Sequence, residues 1–190
     1  MLEMIAGQWL FVACCVVYVV WWNVSFRPQT EVNRVGGFRG ILLGITAFLG
    51  IGGVGMSMHG AIQLALPVGA APLTLPVPAA GIVVAGVVAF GLSLLVTWGF
   101  LKRQPTTELT LIVAWCVLEA IVIDVACACG TLGGTPATVA VCTIAASTVS
   151  SLVLYVLYYR LPEWPAFYTA SIPLVTSGLV TALIACLIRV

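Results

Sequence analysis

Charge is scarce in this chain. Of 190 residues seven are Lys or Arg, six are Asp or Glu and one is His, so 7% are charged where a soluble domain carries roughly 25%, and 62% are hydrophobic. No water-soluble surface can be assembled from that composition. With a formal net charge of +1 and its cations spread over separate stretches, the chain has no basic face of the kind a phosphate backbone needs, which excludes nucleic acid as a partner. The motifs of catalysis are missing too. There is no second histidine for a paired haem, no Cys-x-x-Cys redox pair, no His-Glu-x-x-His zinc motif and no Gly-x-Ser-x-Gly elbow. The glycine run at Gly50 to Gly55 lacks the preceding strand that nucleotide binding requires. The chain therefore reads as a protein that is not an enzyme.

What is present is apolar sequence in long runs. Windows of about 19 residues place six spans: Gln8 to Phe26, Gly40 to Leu64, Ala79 to Leu101, Glu108 to Cys129, Ala137 to Tyr159, and Phe167 to Ile188. Each meets the length of roughly 20 apolar residues that about 30 Å of hydrocarbon demands. The expected fold is all-α: a polytopic six-helix bundle forming one transmembrane domain over residues 1–190.

The cations orient it. Arg27, Arg34 and Arg39, then Lys102 and Arg103, then Arg160 fall in alternate connections, while 67–78 and 130–136 carry no charge. Short basic loops stay on the cytoplasmic side, so the N-terminus and the C-terminus are both expected outside, in a multi-pass protein of a bacterial cytoplasmic membrane. The first span has Glu3 where a secretory leader has its positive region, and reads as an uncleaved helix inserted N-terminus outward. Trp9, Trp21, Trp22, Phe26, Trp98, Phe100, Tyr155, Tyr158 and Tyr159 sit at span ends, where amphipathic rings form interfacial belts, and Trp164 is expected to anchor a tight inner loop.

The second span is rich in glycine, with Gly36, Gly40 and Gly44 at intervals of four and Gly50, Gly52, Gly53 and Gly55 in the middle. Small residues on one face let helix backbones approach closely. This predicts a second helix buried in the bundle, with a bend or unwound turn near Gly52 to Gly55 as a further expectation.

The most informative residues are those that insertion into lipid should have removed. An ionisable group in hydrocarbon costs at least about 2.5 kcal/mol and normally faces the protein interior with a partner. Glu119 and Asp124 lie inside the fourth span, and His59 closes the second. The two carboxyls are five residues apart, about 140° around a helix, so each is expected to have its own partner, such as a hydroxyl of Thr143, Ser147, Thr148, Ser150 or Ser151. By the topology above, Met56, Met58, His59, Cys127 and Cys129 gather near the outer face. Soft sulfur ligands with one imidazole suit reduced copper, or zinc where thiolates dominate. Met56 and Met58, like Cys127 and Cys129, point about 200° apart on a regular helix, so a shared ion requires the helix end to unwind. Disulfide formation and plain packing of the cysteines stay open beside metal binding.

The stretch Arg39 to Pro67, with Leu42-Leu43-Gly44, Gly52-Gly53-Val54-Gly55, Ser57-Met58-His59 and Leu66-Pro67, resembles the first repeat of the MHYT integral membrane sensor domains. The resemblance implies helix pairs whose second member ends outside in Met-His-Tyr-Thr, basic loops inside, and binding of copper or sensing of diatomic gases and redox state. Met58 and His59 match that motif, and Gly60 and Ala61 stand in place of its Tyr and Thr.

Three functions are consistent with these residues. The first is a sensing or metal-binding module with an outer-face Met/His/Cys site and no output domain of its own. The second is a small-solute or ion transporter or channel with Glu119 and Asp124 in its route. The third is the membrane anchor subunit of a larger complex. The expected partners are membrane lipid, further copies of the chain, or a partner membrane subunit.

Overall fold

In the computed structural model the described residues are 1–28, 36–65 and 107–188, and all regular structure among them is α-helix. We number these helices α1 (Leu2–Phe26), α2 (Gly36–Ala65), α3 (Thr107–Ala128), α4 (Gly134–Tyr158) and α5 (Glu163–Leu187). All five are long and apolar enough to cross a bilayer, which fits an integral multi-pass membrane protein. The expected third span, Ala79 to Leu101, lies outside the described residues, as do Arg34, Lys102 and Arg103.

Helix boundaries follow local chemistry. The last turn of α3 closes around Gly130, whose φ of +71° is open to glycine. Thr131 caps the same turn, its hydroxyl donating to the Ala126 carbonyl at 3.0 Å. Pro162 precedes α5 in an extended conformation, and Pro165 falls in the first turn, where a proline costs no helical hydrogen bond. Trp164 is thus part of α5 itself, stacked on Tyr168 with centroids 6.1 Å apart. Pro173 lies inside α5 and removes the N–H that would bond the Thr169 carbonyl.

Specific contacts give the helix directions. Met4 lies against Gly60, Gly7 against Gly53 and Ser57, and the Cys14 thiol donates to the Thr46 carbonyl at 3.3 Å, so α1 and α2 are antiparallel. Cys15 meets Gly178, and the Trp22 indole donates to the Phe167 carbonyl at 3.3 Å, so α5 also runs opposite to α1. Short connections at 129–133 and 159–162 reverse the chain between α3, α4 and α5. It follows that α2, α3 and α5 all run one way. Their C-terminal ends meet the start of α1, where the Cys129 thiol reaches the Leu64 carbonyl at 3.8 Å and Met1, Met4, Ala61 and Ile188 join one core. Arg27, Arg39 and Arg160 lie together at the opposite end, where the Arg39 guanidinium donates to the Val24 carbonyl at 3.2 Å.

Burial ranks the helices in an order that differs from the expectation. In α3, 56% of the membrane-crossing window is buried, against 22% in α2. Among the described residues α3 is therefore the most buried helix and α2 the least. Gly40, Gly44, Gly52 and Gly55 have no described atom near the position a Cβ would take, so they make no part of the contact with α1. The close contact uses Gly53, Ser57 and Gly60, at helical spacing on the one face that meets α1. A Cβ at Gly53 would lie 2.8 Å from the Phe11 backbone nitrogen, and one at Gly7 would lie 2.6 Å from the Gly53 carbonyl oxygen. The helix is also continuous from Gly36 to Ala65, with no unwound turn at Gly52 to Gly55. At 30 residues it is about 45 Å long, enough to tilt or project beyond hydrocarbon.

Candidate functional site

Four helices converge on one carboxyl group. Glu119, on the central helix α3, is fully buried, as are Gln8 of α1, Ser57 of α2 and Thr181 of α5. The Thr181 hydroxyl donates to Glu119 Oε1 at 2.7 Å, and it accepts at 2.9 Å from the indole N–H of Trp115, one turn before Glu119 on α3. A hydroxyl has one proton to donate, so the indole fixes the direction of this chain: Trp115 to Thr181 to Glu119. On the other side the Gln8 amide turns its nitrogen toward the carboxyl, 3.0 Å from Oε1 and 3.2 Å from Oε2. The reverse orientation would face acceptor to acceptor, which decides the assignment. The far end of the Gln8 amide is 3.4 Å from the Ser57 hydroxyl, itself 3.4 Å from the Met4 carbonyl.

Such a network answers a cost that lipid imposes. A carboxyl in an apolar interior is tolerable only when its oxygens find donors. Here every donor is neutral. Among the described residues the charged side-chain pairing is His59 with Glu3, far from Glu119 along α2 and α1.

Below the network, toward the end carrying Arg27, Arg39 and Arg160, lies a cavity of about 760 Å³ bounded by all five helices. Its wall is mostly apolar and aromatic, with Phe11, Tyr18, Tyr155 and Tyr158 among its rings and with Cys15, Ser151 and Ser177 as polar groups. Cys15 and Ser177 are 3.7 Å apart across the α1–α5 seam. Trp115 belongs to both features: its ring lines the cavity and its N–H enters the network. Pro173 and Thr169 line the same cavity, so the interruption in α5 falls at its wall.

The second carboxyl is separate. Asp124 is 5% exposed, does not line the cavity, and its Oδ1 has no hydrogen-bond partner among the described residues. Glu119 takes its partners from α1 and α5, and none from the hydroxyls expected on α4. Thr143 donates to its own helix at the Val139 carbonyl and Ser150 to the Ser147 carbonyl, while among the described residues Ser147 Oγ has no hydrogen-bond partner and Thr148 lies beside Cys116. Ser151 lines the cavity.

The proposed metal ligands are not brought together. His59 Nδ1 is 2.8 Å from Glu3 Oε2 and its Nε2 is 3.5 Å from Gln63, in a pair whose side chains are 60% and 57% exposed. Met56 is exposed and Met58 half-buried on a helix that does not unwind, so they keep their opposed directions. Cys127 is half-buried, and Cys129 engages the Leu64 carbonyl. Among the described residues no three His, Cys, Asp or Glu side chains are placed to hold a metal ion. No two of the seven cysteines are bonded to each other in this structure.

No family model, curated protein or solved structure matches this chain. The site must therefore be read from its own residues. Of its members, sequence reasoning identified Glu119 and missed Gln8, Ser57, Trp115 and Thr181. Gln8 carried a signal, being an amide in an otherwise apolar helix, but it was placed at the border of the first span, where a polar residue needs no explanation.

Proposed function

We propose that the protein is a membrane carrier for a small, largely apolar solute, which it binds in the cavity under Trp115 and moves across the bilayer. The observation that carries this reading is the shared role of Trp115. Trp115 lines the cavity, and its N–H is the first donor of the chain ending on Glu119. A solute that shifts this ring changes the hydrogen bonding of a buried carboxyl, and that change reaches α1, α2 and α5 at once. Carriers need such coupling between occupancy and helix packing. Glu119 is the working carboxyl of the route, and Asp124 is not part of it.

In this reading the chain has six spans, with Ala79 to Leu101 as the third. Ala65 and Thr107 lie at opposite ends of the bundle, because α2 and α3 run in the same direction. Arg27, Arg39 and Arg160 mark the cytoplasmic side, and both termini lie outside. The cavity then adjoins the inner leaflet and the Glu119 network caps its outer end.

The test is uptake into proteoliposomes of three solutes that share a benzene ring and cross lipid slowly: benzyltrimethylammonium, phenyl glucoside and benzenesulfonate. Uptake of at least one above protein-free vesicles is expected, reduced at least tenfold by Glu119→Gln and retained by Asp124→Asn. If folded protein carries none of the three, or if Glu119→Gln carries them as fast as the parent, the carrier reading fails.

A further inference from the structure

The charge of the solute can be argued from what surrounds the cavity. A charged molecule that enters an apolar enclosure loses its hydration and needs an opposite charge or an oriented dipole in return. Among the described residues no Lys, Arg or His lines this cavity, so an anion finds no compensating charge in that part of the wall. A carboxyl group stands two hydrogen bonds behind the wall, reached through Trp115 and Thr181. The wall also presents aromatic rings, Tyr18, Trp115, Tyr155 and Tyr158 among them, and ring faces attract cations, most strongly when water is excluded. These features favour one sign of charge, and the apolar remainder of the wall favours a hydrophobic body.

Resting on the carrier reading above, we infer that the cavity binds a monovalent organic cation with an apolar body, such as an aromatic amine or a quaternary ammonium compound. Its charged nitrogen sits on the Trp115 side, toward Glu119, and its hydrophobic part fills the space between α1, α4 and α5. A divalent or strongly hydrated metal cation is not accommodated, because among the described residues the wall presents no carboxylate to replace its water.

Isothermal titration calorimetry on the full chain in an uncharged maltoside detergent tests this with the three solutes named above. Benzyltrimethylammonium is expected to bind at least tenfold more tightly than phenyl glucoside or benzenesulfonate. Glu119→Gln should remove that preference. Ala170→Trp, which places an indole in the cavity, should abolish binding of the cation. Equal or tighter binding of the neutral or anionic solute overturns the assignment of charge and leaves the carrier reading standing. Binding of none of the three overturns both. Should Glu119→Gln not survive purification, the charge series on the parent protein decides the question alone.

Discussion

The Thr181 hydroxyl sits 2.7 Å from Glu119 Oε1 with its lone pair engaged by the Trp115 indole, so a side chain of the last helix both accepts from and donates to the central helix at one point. Thr181→Val keeps the shape and removes the oxygen. It leaves a buried carboxyl oxygen and a buried indole N–H each short of a partner, at roughly 1–3 kcal/mol apiece. Thermal unfolding in detergent should show a clear fall in Tm for this variant and near-parental behaviour for Thr181→Ser. A parental Tm in Thr181→Val would mean that the contact contributes nothing.

Gln8 tests the opposite side of the carboxyl. Gln8→Leu deletes both donors facing Glu119 while preserving bulk, with an expected loss of roughly 1–3 kcal/mol. Gln8→Glu should be worse, since it sets a second carboxyl within hydrogen-bond distance of the first, and like charges at that range disfavour each other. Denaturation midpoints of the two variants check the order.

The glycines divide into two sets with opposite expectations. Gly53→Ala and Gly60→Ala insert a methyl where the α1 backbone already lies, and should cost roughly 1–3 kcal/mol through displacement of the helix pair. Gly40→Ala and Gly44→Ala meet no atom and gain helix preference, so Tm should hold or rise. Equal loss across all four would show that α2 is packed on the other face as well.

His59→Ala removes an exposed pairing with Glu3, and such pairs contribute about 0–1 kcal/mol. Stability should barely change. Elemental analysis of the same two preparations addresses the alternative chemistry: copper bound one-to-one by the parent and lost from His59→Ala would restore the outer-face Met/His/Cys site in place of the cavity.

Span positions were legible because hydropathy alone decides which segments enter lipid. All five described helices end within one residue of the expected limits, while α2, α4 and α5 start three or four residues earlier and α1 starts six earlier, at Leu2, because one glutamine does not stop a helix. Neighbour relations were not legible. Nothing in the order of the helices says that the last one packs beside the first, so the donors to Glu119 were sought on the adjacent span and found on α1 and α5. The glycine pattern misled for a related reason. Among the described residues its most regular members face no neighbour, and the decisive partner was Gly7, a single small residue that forms no motif. Glu119 itself was identifiable because any carboxyl in hydrocarbon demands explanation.

The donors that satisfy Glu119 come from α1 and α5, so the network closes only when both helices stand beside α3. Until α5 is in place the acid of the central helix lacks the Thr181 hydroxyl. A chain truncated ahead of α5 keeps that defect, which gives the membrane proteases of the cell a chemical mark of incompleteness that the finished molecule no longer displays.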